Sequence, residues 1–173
     1  CQEKGNHYID APVSGSVKQA TDGTLVIMAG GDPQSYEVLR PIFRVLGKFD
    51  LKVGESGAGN AAKLAINSML ALHAQGLAET ILFAQKQGIA PHDLMELINQ
   101  SALGNAFIKI KGDAVLNDNY QAAFALKHIV KDLKLAKDEG LNSPLAKVVN
   151  ESFQAAAKDL AEEDIIAIIK TIV

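Results

Sequence analysis

Gly57-Ala-Gly-Asn-Ala-Ala-Lys63-Leu-Ala-Ile-Asn67 divides this chain into two kinds of sequence. Before it, apolar residues come in short β-rich blocks; after it, they recur at helical spacing to the end. The glycines form a turn, and the turn opens a long apolar helix. The first polar pair on that helix is Lys63 and Asn67, at i and i+4 and so on one face. A lysine this close to a helix amino end sits against the positive pole of the helix dipole, which disfavours it by about 0.3–1 kcal/mol. The same field eases the loss of its proton, as a proton-transferring amine requires.

Working back from the turn, residues 7–53 alternate strands with one helix. His7–Val13 reads as a strand ending in the turn Ser14-Gly15-Ser16, and Thr24–Ala29 as a second strand closed by Gly30-Gly31-Asp32-Pro33. Pro33 and the spacing of Val38, Leu39, Ile42, Val45 and Leu46 predict a helix, and Phe49–Val53 a third strand. Working forward, Asn60 to about Gln87 is one helix, apolar on nearly every face, which other helices must wrap. Gly88 ends it, and Pro91 with Asp93 starts the next. Amphipathic stretches follow at roughly 104–116 and from about Ala125 to Glu139. Ser143 as N-cap with Pro144 at the first helical position opens another, and a last short helix holds Ile165, Ile166, Ile168 and Ile169. The expected architecture is an α+β chain: residues 1–56 as the end of an α/β sheet, and 57–173 as an all-helical domain on one long central helix.

Composition narrows the function. The 173 residues are 48% apolar with a net charge of −3, and no segment concentrates lysine and arginine, which argues against a nucleic-acid surface. Lys63, His73, Gln75 and Glu79 interrupt the most apolar run, so no membrane partner is expected. A single cysteine, Cys1, leaves neither a disulfide framework nor a thiolate metal site, and no metal is expected. Without a secretory segment the balance favours the cytoplasm. Cys1-Gln-Glu-Lys-Gly-Asn reads as the tail of a helix ending in Gly5, so the chain is expected to begin mid-protein.

Gly57-x-Gly59-x-x-Ala62 matches the loose dinucleotide pattern G-x-G-x-x-G/A. That pattern works only inside a βαβ unit of about 30 residues with an acidic residue ending the second strand. Here the helix runs on into another helix, so the glycines are read instead as a sharp sheet-to-helix turn or a close backbone approach to a ligand. The lysine can be an acid/base oriented by Asn67, or a solvated side chain at a helix end. Ser14-Gly15-Ser16 lies at a strand's carboxyl end and can hold a carboxylate, or can be an ordinary polar turn. Lys127, His128, Lys131, Asp132 and Lys134 read by default as a solvated charged face. His73 and His128 have no second ligand at metal-binding spacing.

Taken together, Asp10-Ala-Pro-Val-Ser-Gly-Ser16, Gly57-x-Gly-x-x-x-Lys63-x-x-x-Asn67 and Lys131-Asp-Leu-Lys-Leu-Ala136 resemble the β-hydroxyacid dehydrogenases over essentially the whole chain. This family includes 3-hydroxyisobutyrate dehydrogenases and glyoxylate/succinic semialdehyde reductases. The resemblance implies the end of a Rossmann sheet, then a helical domain like the carboxy-terminal one of 6-phosphogluconate dehydrogenase, in dimers or tetramers. It implies Lys63 as catalytic acid/base with Asn67 beside it. It also implies Ser14, Gly15, Ser16 and Asp132 as substrate-binding residues, and Lys131 and Phe124 on the cofactor, NAD or NADP, with NADPH favoured. The substrate would be a small 3-hydroxy acid or its semialdehyde. The family's own cofactor loop is expected to precede residue 1, so the isolated chain is expected to bind dinucleotide weakly and to be inactive.

Ile66 stands where typical 3-hydroxyisobutyrate dehydrogenases carry a further asparagine. Ser-Gly-Ser with Phe124-Ala-Leu-Lys-His128 is nearer to the glyoxylate/succinic semialdehyde reductases. A non-catalytic helical oligomerisation module of the same family is the alternative, a class that loss of the lysine would mark. An unrelated helical binding domain with 61–84 as its partner face is the third possibility.

Overall fold

In the computed structural model, which describes residues 1–172, the β-rich blocks build one mixed sheet. Ile9–Asp10 (β1) and Val13–Ser14 (β2) run antiparallel to Leu25–Gly31 (β3) in a single register, with Ile9 opposite Gly31 and Val13 opposite Ile27. They replace the continuous strand expected over 7–13. Pro12 lies between them and has no N–H for the ladder; its carbonyl still accepts from Met28 N at 3.0 Å. Ser14 is therefore strand and not turn. Val17–Thr21 (α1) is a short helix the sequence reading did not anticipate.

β3 also runs through Gly30 and Gly31, which were expected to end it. Pro33–Leu46 (α2) then crosses to Gly47–Gly54 (β4), parallel to β3, as the strand–helix–strand reading requires. Asp32 caps α2, accepting from Gln34 N at 2.9 Å and Ser35 N at 3.1 Å. Its hydrogen bond with Ser35, helped by those main-chain N–H groups, holds its carboxyl below the ordinary value.

The helix does not present the face expected from Val38, Ile42 and Val45, which are exposed. It buries Tyr36 and Phe43, with Leu39 packed beside them, against Ile27 and Ala29 of β3. Tyr36 can do this because its hydroxyl, donating to Asp50 of β4, satisfies the polar end of an otherwise apolar ring.

The second part of the chain is helical. Ala58–Lys86 (α3) is one unbroken helix of 29 residues, slightly longer than expected. Pro91–Gln100 (α4), Ala106–Leu116 (α5), Leu126–Asp138 (α6) and Pro144–Leu160 (α7) follow. Ser143 does occupy the N-cap position of α7, but its hydroxyl makes no capping bond. The isoleucine-rich end, Ile165–Thr171, is a 3-10 helix capped by Asp164. One core joins these elements, with Ala71, Ala74, Ala78 and Ile81 of α3 among Ile129, Phe153, Ile165 and Ile168, all fully or almost fully buried. The alanines on α3 are small enough for neighbouring helices to approach closely. One stripe of α3 is not wrapped: Ile66, Met69 and Phe83 are exposed.

The chain divides into two compact units between Ile66 and Asn67, inside α3 and later than the boundary read from sequence. The reason is local: the first turns of α3 are tied by hydrogen bonds to β1 and β2. None of the described helices is long and apolar enough to cross a membrane.

Candidate active site

In the first unit the site begins with a buried carboxylate. Asp10, at the end of β1, accepts hydrogen bonds from Gly57 N (2.6 Å) and Asn60 N (2.9 Å) at the start of α3. The glycines permit this close approach. A Cβ on Gly59 would lie 2.4 Å from the Met28 carbonyl oxygen and 2.8 Å from Asp10 Oδ2, and one on Gly30 would lie 2.7 Å from Asp10 Oδ1. Of the two readings of the glycine turn, the sharp sheet-to-helix turn from Gly54 to Ala58 holds, and the backbone's close approach is to the protein's own strand.

This anchor sets the phase of α3. Lys63, one and a half turns on, donates from Nζ to the Val13 carbonyl at 2.8 Å. The ammonium thus sits at the strand end that leads into Ser14-Gly15-Ser16. Gly15 has φ of +138°, where a side chain is strained, and a Cβ there would lie 2.7 Å from Leu25 Cδ2. Ser16 N and Oγ both donate to Gln19 Oε1, at 2.8 and 2.7 Å. Its donors are therefore committed to capping α1. The S-x-x-Q spacing at 16–19 is a capping-box signature that would have revealed α1 in the sequence.

In the second unit Asn67 and Asp132 meet. Asn67 Nδ2 donates to Asp132 Oδ2 at 2.5 Å, and both residues are buried. An ionised carboxylate only accepts, so the Asn67 amide must turn its NH₂ toward it. Lys131 closes the other oxygen, with Nζ 2.8 Å from Asp132 Oδ1, while its own side chain stays mostly exposed. Asp132 is thus no part of a solvated face: it is a buried group that orients Asn67 and tethers Lys131. Lys127 and His128 do remain exposed. Lys127 pairs with Glu162, and the His128 ring stacks on Phe124 at 6.1 Å between centroids. Phe124 is half-buried. His73 lies 6.2 Å from the Phe107 ring.

The sequence reading missed one buried pair, Lys111 and Asp164, whose Nζ–Oδ1 distance is 2.7 Å. Periodicity places Lys111 among the apolar residues of α5, and a lysine there was the available signal. Among the described residues, no group of three or more His, Cys, Asp or Glu side chains converges to hold a metal ion.

Residues 57–172 match the family described as the NAD-binding domain of NADP-dependent 3-hydroxyisobutyrate dehydrogenase, and residues 1–62 match the NAD-binding domain of 6-phosphogluconate dehydrogenase. The chain belongs to the β-hydroxyacid dehydrogenase family. Among relatives of this β-hydroxyacid dehydrogenase chain is glyoxylate/succinic semialdehyde reductase 2, chloroplastic, of Arabidopsis thaliana. It is 35% identical over 99% of this chain and 49% of its own length. Two 3-hydroxyisobutyrate dehydrogenases share the fold. The Salmonella typhimurium enzyme has a TM-score of 0.87 and 25% identity over 96% of this chain and 60% of its own. For the Mycobacterium tuberculosis enzyme the values are 0.84 and 31%, over 94% and 60%. The chain therefore spans about half to three-fifths of the length of these relatives.

The family implies a nicotinamide cofactor, and the residues present fit only part of one. The amides at the head of α3 that a pyrophosphate would need are occupied by Asp10, so the Gly57–Gly59 turn is no phosphate cradle. The half-buried ring of Phe124 and the exposed Lys131 ammonium suit the nicotinamide end and an anionic group, respectively.

Proposed function

We propose that this chain carries the acid/base and substrate-holding residues of an NAD(P)-dependent oxidoreductase that interconverts a small 3-hydroxy acid and its semialdehyde. Lys63 is the acid/base, and Asn67 lies beside it one helical turn along α3. Ser14, Gly15 and Ser16 are the carboxylate-binding segment, which Ser16 shapes as the cap of α1. Lys131 and Phe124 face the cofactor, for which NADPH is the favoured form, and Asp132 holds Asn67 and Lys131 in place. Residues 1–56 form the cofactor-side sheet, and 57–173 the catalytic and dimerising domain. The exposed Ile66, Met69 and Phe83 stripe on α3 supports a homo-oligomer, dimer or tetramer.

The observation that carries this reading is the Lys63 Nζ–Val13 O bond. It fixes an ammonium, a group that only donates, at the mouth of the serine turn. When bound, the reduced nicotinamide supplies a hydride to the aldehyde carbon. As that carbon is reduced, its oxygen gains negative charge, which Lys63 Nζ stabilises and then neutralises by giving up a proton. In the oxidative direction the neutral amine takes the hydroxyl proton. A relative that is a glyoxylate/succinic semialdehyde reductase supports a small aldehyde acid as substrate, and two that are 3-hydroxyisobutyrate dehydrogenases support the 3-hydroxy acid. The Mycobacterium tuberculosis enzyme, solved with L-serine, adds that a relative accommodates a carboxylate with a hydroxyl on its third carbon.

Replacing Lys63 with methionine in the intact enzyme tests the assignment, with 3-hydroxyisobutyrate as substrate and NADP⁺ as oxidant. The expected result is a fall in kcat of about 10²–10⁴-fold with an unchanged unfolding transition. Turnover that survives the change removes Lys63 from the chemistry.

A further inference from the structure

The Asp164 carboxylate is almost fully buried and gathers donors from three segments. Lys111 Nζ of α5 binds both of its oxygens, at 2.7 and 2.8 Å. Ala123 N and Phe124 N reach it at 3.0 and 3.3 Å, and Ile166 N at 3.2 Å. The stretch that precedes α6 is also strapped to the segment before the 3-10 helix by main-chain bonds. Asp164 N donates to Tyr120 O, Ile165 N to Phe124 O, Leu126 N to Glu163 O and Lys127 N to Ala161 O, at 2.8–3.1 Å.

A buried ion pair is a poor device for stability, because desolvation of both charges offsets their attraction and apolar replacements often do as well. A buried carboxylate with five hydrogen bonds does, however, permit only one path for the chain that donates them. That chain is Ala123-Phe124, and two residues later it becomes α6, which carries Lys131 and Asp132.

We propose that Lys111 and Asp164 are positioning residues for the reaction: their buried pair clamps the backbone of Ala123 and Phe124 and so sets the placement of the Phe124 ring and of the Asp132 carboxylate that orients Asn67. This rests on the function proposed above, in which Phe124 and Asn67 serve the site. Neither Lys111 nor Asp164 touches a substrate; they act through the strap. The clamp need move little to matter, since a misplacement of about 1 Å can slow a reaction about 10²-fold.

The test uses Lys111→Met in the intact enzyme, read by amide exchange at Ala123 and Phe124 without cofactor and by steady-state kinetics. Faster exchange at those two amides, with kcat lowered and KM for NADPH raised about tenfold each, is expected. A folded variant with wild-type exchange and wild-type kinetics overturns the proposal, as does one that is merely less stable with both constants unchanged. Should Lys111→Met not fold, Lys111→Gln, which keeps one donor toward Asp164, decides by the same two readouts: faster exchange at Ala123 and Phe124 with altered kinetics supports the clamp, and wild-type exchange with wild-type kinetics overturns it. The exchange rates of the variant judge the clamp independently of Lys63, whose failure would remove only the catalytic reading.

Discussion

Each unit holds a buried aspartate at the head of a helix, and the two settings differ. Asp10 meets the main-chain N–H groups that begin α3, where an acceptor is needed and the helix dipole favours negative charge. Asp164 caps a short 3-10 helix inside a larger apolar core and is matched by a buried lysine besides main-chain donors. The surrounding cores differ in the same sense. Tyr36, Phe43, Ile27 and Ala29 make a thin layer over the sheet, while α2 leaves Val38, Ile42 and Val45 exposed and β4 leaves Phe49 and Leu51 exposed. The helical unit gathers most of the buried apolar residues around α3 and Phe153. Polar anchoring and glycine-permitted close approach organise the first unit, and apolar volume organises the second.

The largest test of that contrast is a pair of truncations. Phe153→Ala empties the centre of the helical core and should cost about 3–5 kcal/mol, whereas Phe43→Ala, under a thinner layer, should cost less. Denaturation midpoints measure both, and equal losses would break the comparison. Next in size, Asp10→Asn turns an N–H toward donors that now meet a carboxylate. It should cost about 1–3 kcal/mol and speed exchange at Gly57 and Asn60, the two amides it receives. Retained protection at both would show that the head of α3 is held otherwise.

The smallest effect concerns pH and links the units. Burial raises the Tyr36 phenol above its ordinary 10.0, and does the same for Tyr120, where Lys170 stands 4.0 Å over the ring and pulls the other way. A raised value in the folded protein means protons are held more tightly there than in the unfolded chain. The contribution is full below pH 10.0 and is lost as pH climbs through the folded-state values. Ultraviolet titration of tyrosinate in Tyr36→Phe and Tyr120→Phe variants should each remove one late-titrating phenol. Early ionisation of both would contradict the burial.

Much of this was legible in one dimension. The change of period at residue 57 separates sheet from helices, and the lysine–asparagine spacing marks one helix face, because both follow from local geometry that periodicity reports directly. Three features were not. α1 spans five residues, too short to show a period, and only the Ser16–Gln19 capping spacing marks it. α2 buries Tyr36 and Phe43 in place of its more obvious aliphatic positions, because Asp50 satisfies a hydroxyl from a strand not yet formed when α2 is read. Asp132 looks like one member of a charged face until Asn67, sixty-five residues away, claims it.

By itself the sequence determined the change from strands to helices, the long central helix and the family, since each depends on neighbours within a few residues or on motif spacing. Only the tertiary structure decided what the buried polar groups do: that the glycine turn closes on Asp10, that Asp132 orients Asn67, and that Lys111 meets Asp164. The physical reason is burial. A buried polar group must find a partner, and that partner is chosen by which distant segments the apolar core brings together.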